Sequence, residues 1–503
     1  MINSPRKTSD PTELFRRAAD LHRNGNFTAA ASLYLQALKL SPNFLPALLS
    51  YAVVLQALNR PAEALASYDE ALAINPRNPG ALYNRGNALR DLNRADEAIA
   101  SYDRALAIKP VFPEAHNNRG NALRDLNCIG EALVSYNKAL AIKPDYAVAL
   151  NNRGNALRDL NRADEAIASY DRALRLKPTY ADALHNRGNA LRDLNLIAEA
   201  LASFDEALTI NPSDANTLYS RGNALRALER PTEALVSYDD ALRINPGLAE
   251  AWHDQARVLH ELSRREEAIT AYRQALVQGG DAETIQYALA SLGVEAAPLA
   301  APMEFVTNLF DQCAARFEEL LIGKLKYQAP ELLFDLVARY VPAGNLDILD
   351  LGCGTGLLGA RFHPLARTLT GVDLSANMLE LARKRQIYDN LICGELVEFL
   401  KGQAKRFDLV VATDVFIYIG DLSQVFQGVR GALRERGLFC FSVEASEEQD
   451  FVLTAACRYA HSIAYLQTLA EVHGFVLDMI DSGVLREQAG SDVGGYFVML
   501  RCA

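Results

Sequence analysis

Between residues 11 and 282 the alternation of apolar and polar positions repeats every 34 residues, and each period holds two helix-length apolar stripes. Eight units start at Pro11, Leu45, Pro79, Pro113, Ala147, Ala181, Ala215 and Ala249. Position 20 is alanine throughout, from Ala30 to Ala268, and position 24 is aromatic, as in Tyr34, Tyr68, Phe204 and Tyr272. Position 27 is again alanine, and position 32 is proline from Pro42 to Pro246, with Gly280 in the last unit. Small residues at positions 8, 20 and 27 let two helices approach, while leucine at 11 and the ring at 24 fill the gap between them. Proline at 32 stops the second helix. The pattern predicts an all-α solenoid over 11–282, then a capping helix over Ala282–Leu292 that covers the open end.

After a Pro- and Ala-rich stretch at Gly293–Met303, read as a linker, the periodicity changes. Helical patterns at Phe305–Leu321 and Glu331–Tyr340 lead into short apolar runs that alternate with helices. The runs predict strands at Asp347–Leu351, Thr368–Asp373, Leu391–Cys393, Asp408–Thr413, Gly437–Val443, Phe475–Ile480 and Tyr496–Arg501. That order predicts an α/β domain over 304–503, a parallel sheet with helices on both faces and an antiparallel final pair. The segment holding His461 is read as helical.

The 34-residue units resemble the tetratricopeptide repeat, with Arg-Gly-Asn marking the register at Arg85, Arg119, Arg153, Arg187 and Arg221. Trp252 falls at position 4 of the eighth unit, where that family most often has tryptophan. Such arrays imply a concave surface that holds proteins or peptides.

Composition narrows the setting. The net charge of −11 argues against general affinity for a nucleic-acid backbone or an anionic membrane. Seven dispersed cysteines without a CxxC pair suggest reduced thiols, with neither a disulfide frame nor a metal site. Met1–Lys7 leads into charged residues without an apolar signal core, and no segment is long enough to span a membrane. A cytoplasmic chain is expected.

The segment Ile348–Gly356 carries the clearest chemistry. An apolar run ends in Asp350, and Gly352, Gly354 and Gly356 follow at i, i+2 and i+4. The dinucleotide fingerprint needs its third glycine at i+5, where Leu357 stands. This spacing resembles motif I of class I S-adenosylmethionine-dependent methyltransferases, a Rossmann-like fold of seven strands. The resemblance implies that Asp350, Gly352, Cys353, Gly354 and Gly356 surround the methionine part of the cofactor. It implies that Asp373, followed by Leu374, accepts hydrogen bonds from the ribose hydroxyls. Glu395 and Leu396 would border the adenine, and Asp414 the transferred methyl group. Glutamate at 395 departs from the family's usual aspartate, so neighbouring backbone is an alternative contact. Phe310, Asp311 and Phe317 are candidates for a covering helix, with ordinary core packing as the other reading of the rings.

Methyl transfer to oxygen or nitrogen needs alignment and sometimes a base. Asp414, Tyr418 and the Arg458-Tyr459-Ala460-His461 cluster are the candidate bases or substrate contacts, and a lone histidine such as His461 is more often structural. No Asn/Asp-Pro-Pro-Tyr motif follows the fourth strand, where Ala412-Thr413-Asp414-Val415 stands, which disfavours methylation of DNA bases or glutamine amides. The second half, including Leu309-Phe310-Asp311 and Tyr327–Leu333, resembles predicted bacterial methyltransferases that carry tetratricopeptide repeats.

Asparagine fills position 6 at Asn84, Asn118, Asn152 and Asn186, and position 9 at Asn87, Asn121, Asn155, Asn189 and Asn223. A ladder of amides on the inner face can hold an extended peptide by its backbone, and position 6 resembles the ladder of the O-linked N-acetylglucosamine transferase repeats. Because Asn84–Leu106 and Asn152–Leu174 are identical, duplication alone also explains the series. The reading is a methyltransferase whose solenoid recruits a protein partner or substrate. The alternatives are a scaffold with a weak or non-catalytic cofactor domain, and a small-molecule methyltransferase whose repeats serve assembly.

Overall fold

The computed structural model describes residues 10–314, 317–341, 344–447, 450–488 and 491–503. The Met1–Lys7 stretch and part of the expected Phe305–Leu321 helix lie outside these residues. Two compact units, Met1–Pro246 and Gly247–Ala503, divide the chain.

Among the described residues the first unit is a solenoid of seven helix pairs, from Pro11–Arg23 with Phe27–Leu40 to Ala215–Ala227 with Pro231–Ile244. Each pair turns at position 15 on a left-handed residue, Gly25 in the first, asparagine from Asn59 to Asn195 in the next five and Glu229 in the seventh. The close approach of the helices is set by position 8. A Cβ on Gly120 would lie 2.6 Å from the Tyr136 ring, and Gly86, Gly154, Gly188 and Gly222 meet their own unit's ring in the same way. The Tyr136 hydroxyl donates to Asn121, and Tyr102, Tyr170 and Tyr238 repeat that bond within their units. The arginine that marks the register joins successive units. Arg119 Nε donates to Asp103 of the preceding unit at 2.6 Å, and its Nη1 to Ser135 of its own at 2.8 Å.

The second unit begins with the eighth helix pair, Ala249–Glu261 and Arg265–Val277, and the capping helix Ala282–Ser291. Among the described residues its sheet has nine strands: β1 Leu346–Leu351, β2 Ala366–Asp373, β3 Asn390–Cys393, β4 Phe407–Ala412, β5 Leu433–Ala445, β6 Phe451–Leu453, β7 Tyr459–His461, β8 Phe475–Gln488 and β9 Ser491–Cys502. The order β3-β2-β1-β4-β5 is parallel, β9 runs antiparallel to β5, and β8 pairs β9 as a hairpin. Helices on both faces keep β1 and β4 almost wholly buried, which is why they read as continuous apolar runs.

The expected count of seven strands is corrected by the β6–β7 hairpin, which pairs with the far end of β5 beyond β4. His461 therefore lies on a strand, where a helix was expected. Strands of three residues, with Tyr459, Ala460 and His461 all buried, carry no alternating pattern to read. The stretch read as a linker is bonded to the sheet: Leu299 O accepts from Gly420 and Asp421 N–H, and Ala301 N–H donates to Tyr418 O. Prolines remove donors but keep carbonyls, so such a strap can still be fixed from outside.

Candidate functional site

The loop after β1 holds its shape through glycine. Gly352, Gly354 and Gly356 all have φ between +53° and +88°. A Cβ on Gly352 would lie 2.3 Å from Val415, so no side chain fits there. On Gly354 a Cβ would come into ordinary contact with the Phe317 ring at 3.9 Å, so it is the left-handed φ of +53° that favours glycine there. The loop is tied to the end of β2: Cys353 N–H donates to Val372 O at 3.0 Å, and Gly354 N–H to Asp373 Oδ2 at 2.8 Å. The other Asp373 oxygen accepts from Ser375 N–H at 2.9 Å. Burial raises the Asp373 carboxyl above its ordinary range, and these two amide donors oppose the shift.

A cavity of about 580 Å³ opens over this loop. Gly352, Cys353, Gly354, Asp373, Leu374, Glu395, Leu396, Asp414 and Tyr418 all line it. Asp350, Gly356 and His461 are not among its lining residues. Asp350 lies beneath the loop, 1% exposed, with Oδ2 accepting from the Tyr388 hydroxyl at 2.7 Å. Its Oδ1 has no partner among the described residues, and burial pushes the carboxyl up to about 7. Glu395 caps the following helix, its two oxygens accepting from Val397 and Glu398 N–H. His461 is fully buried against Tyr465, with Nε2 facing the Ile419 and Gly420 carbonyls. That environment lowers its pKa to about 4, mainly through burial, and keeps the ring neutral.

The helix Met303–Cys313 brings Phe310 and Asp311 to the cavity's edge. Phe310 meets Tyr418 edge-on at 5.6 Å and Phe317 at 5.8 Å. Asp311 accepts from the Ser375 hydroxyl at 2.5 Å, next to Asp373. Arg385 bonds Glu318 and the Thr355 carbonyl, joining this cover to the glycine loop.

On the far wall lies a buried charge cluster of which the sequence pointed to Asp414 and Arg458 but missed Arg486 and Glu444. Arg486 on β8 is 2% exposed and reaches Asp414 Oδ2 at 2.7 Å and Glu444 through its other nitrogen. Arg458, after the β6–β7 turn, lies 3.8 Å from Glu444 and also lines the cavity. The predicted strand stopped at Ile480, so Arg486 lay outside every predicted element.

In the first unit the position-6 asparagines are half-buried and bond to the preceding repeat. Asn118 Nδ2 donates to Asn87 and Tyr83, Asn152 to Asn117, and Asn186 to Asn151. Asn84 is hydrogen-bonded to Tyr68. Asn117 and Asn151, at position 5, are buried and were not singled out in the sequence.

Comparison with known proteins agrees with both halves. Residues 349–439 match the family model of a methyltransferase domain. Residues 54–192, 181–214 and 219–283 match tetratricopeptide-repeat models. A malonyl-acyl-carrier-protein O-methyltransferase of Legionella pneumophila is 29% identical over 167 residues, 31% of this chain and 56% of that protein. The Priestia megaterium protein of the same name is 35% identical over 104 residues, 20% of this chain and 36% of its own length. A ubiquinone biosynthesis O-methyltransferase of Bartonella tribocorum is 29% identical over 101 residues, covering 20% and 41%. The chain thus spans little more than half, at most, of these relatives. Among solved structures, a tetratricopeptide repeat protein of Parabacteroides merdae aligns with a TM-score of 0.41 and 20% identity, over 47% of this chain and 93% of that one. YrrB, described as a TPR protein with an unusual peptide-binding site, aligns at 0.32 with 25% identity, over 37% and 97%.

Proposed function

We propose that this chain, in which tetratricopeptide repeats are joined to a methyltransferase domain, is an S-adenosylmethionine-dependent methyltransferase whose repeats recruit a protein partner or substrate. The observation that carries the reading is the bond from Gly354 N–H to Asp373 beside a cavity that Gly352, Gly354 and Asp373 all line. Gly352–Gly354 would hold the methionine end against bare backbone. Asp373, with two amide bonds and remaining lone pairs, would accept from the ribose hydroxyls. Leu374 and Leu396 offer apolar surface for the adenine, and Glu395, engaged as a helix cap, leaves its recognition to nearby backbone. When bound, the sulfonium supplies an electrophilic methyl group. The chain's own task is to align the acceptor, exclude water beneath Phe310 and Phe317, and take up a proton where the acceptor carries one.

Calorimetric titration of S-adenosylmethionine tests this directly. Wild type should bind, and Asp373→Ala should bind about 10–100-fold more weakly, as for hydrogen bonds to a charged group worth roughly 1.5–3 kcal/mol. A wild-type protein with no binding overturns the assignment.

For the repeats, Asn152 and Asn186 each use one amide N–H between units, which leaves a second N–H and the carbonyl for an extended peptide. Replacing Asn118, Asn152 and Asn186 by alanine should abolish repeat-dependent labelling of proteins in lysate given labelled cofactor. Labelling at the wild-type level would remove the ladder. The apolar walls of the cavity favour a second reading, a small-molecule acceptor with the repeats serving assembly. Label found only in small molecules would establish that case.

A further inference from the structure

We propose that the acceptor is a neutral molecule bearing an acidic hydroxyl on an apolar, ring-sized body, a phenol or enol, and that Asp414 takes its proton. This rests on the methyltransferase reading above. Asp414 lies two residues beyond β4 with φ +54°, a conformation unusual for a residue with a side chain, and its N–H donates to Ser442 Oγ. One carboxylate oxygen is fixed by Arg486, while the other is buried without a partner among the described residues. Arg486 Nε is likewise buried without a partner, although both residues line the cavity. A single ion pair thus presents one unanswered acceptor and one unanswered donor. A hydroxyl with lone pairs answers both, donating to Asp414 and accepting from Arg486.

Charge selects among acceptors. Asp414 and Glu444 are offset by Arg486 and Arg458, so the wall is near neutral. A carboxylate acceptor would place a third anion beside the unpartnered Asp414 oxygen, and a protonated amine would face two guanidinium groups. A phenol or enol gives its proton to a carboxylate more readily than an aliphatic alcohol does, because its acidity lies closer to that of the base. Phe310 and Tyr418, in edge contact, leave apolar and aromatic surface for a flat ring. In the step itself an oxygen lone pair forms the O–CH₃ bond as the C–S bond of a sulfonium donor breaks, its electrons staying on sulfur. The hydroxyl proton passes to Asp414 and then to solvent.

The test uses the full chain saturated with S-adenosylhomocysteine and 4-nitrophenol as probe, whose anion is coloured and whose neutral form is not. Wild type should bind the neutral form and lose colour. Asp414→Asn, whose side chain tolerates the left-handed backbone and can donate to an anion, should bind without that loss. Benzoate and benzylamine should bind at least about tenfold more weakly than phenol. Equal bleaching by both proteins, or tighter binding of benzoate or benzylamine, overturns the proposal. Calorimetry with S-adenosylmethionine on the same samples separates the cases. Failure there sinks the methyltransferase reading, whereas cofactor binding without phenol selectivity sinks only this one.

Discussion

At the scale of single residues, the groups that matter are polar atoms held where water cannot reach them. Asp350 is the clearest. Desolvation raises its pKa most, the charge of Asp373 adds to the rise, and the Tyr388 hydroxyl opposes it, leaving a value of about 7. Between about pH 4 and 7 the folded protein therefore binds more protons than the unfolded chain, so stability falls as pH rises and levels off above 7. In the cofactor-free protein, Asp350→Asn should match wild type near pH 4, where both side chains are neutral, and should be more stable at about pH 8 by on the order of 3–4 kcal/mol. Urea melts across that range measure it, and parallel curves for the two proteins would show that Asp350 ionises freely. The sequence marked Gly352 because backbone demands at a tight turn restrict residue type, and Asp350 and Asp373 through the resemblance carried by the motif around it. It did not mark Arg486, because a buried arginine is defined by Asp414 and Glu444, which lie 72 and 42 residues away.

At the scale of elements, the repeats were legible because each constraint recurs every 34 residues and is met locally. Position 8 shows the logic. Gly120→Ala improves helix propensity by about 1 kcal/mol, yet its Cβ would lie 2.6 Å from the Tyr136 ring. Overpacking of that kind costs roughly 1–3 kcal/mol, so the clash should win. Hydrogen exchange should speed up in the pair Pro113–Asp125 and Ile129–Ile142, and slower exchange there would mean that the ring has room to move. The β6–β7 hairpin was not legible, because its three-residue strands are specified by what packs on them. Tyr287 of the capping helix donates its hydroxyl to Cys457 O at 2.9 Å, and its ring packs with Leu453 and Tyr459. Tyr459 in turn donates to Pro298 O in the strap. None of these partners is close enough in sequence to leave a periodic trace.

At the scale of the molecule, the change of sequence pattern and the division of the structure fall at different places. The pattern changes near Glu304, where the repeats and their linker end, whereas the second compact unit starts at Gly247. Periodicity records which helices share a template, and compactness records which side chains share a core. Tyr287 and Ala290 belong by sequence to the end of the array, but they are buried with Leu453 and Tyr459 of the sheet domain. Their hairpin also carries Arg458, which lines the cavity. A fragment 304–503 would therefore lose the burial of Tyr459 and the anchor at Cys457, a loss of roughly 3–5 kcal/mol by analogy with removal of a large core aromatic. A fragment 247–503 keeps both. The longer fragment should melt well above the shorter one and bind phenol probes as the full chain does. The shorter one, where folded, should keep S-adenosylmethionine binding, because Gly352–Gly356 and Asp373 do not touch the cap, and should lose acceptor binding as Arg458 is released. Equal melting and equal acceptor binding by the two fragments would mean that the eighth repeat and its cap are passengers on the domain they pack against.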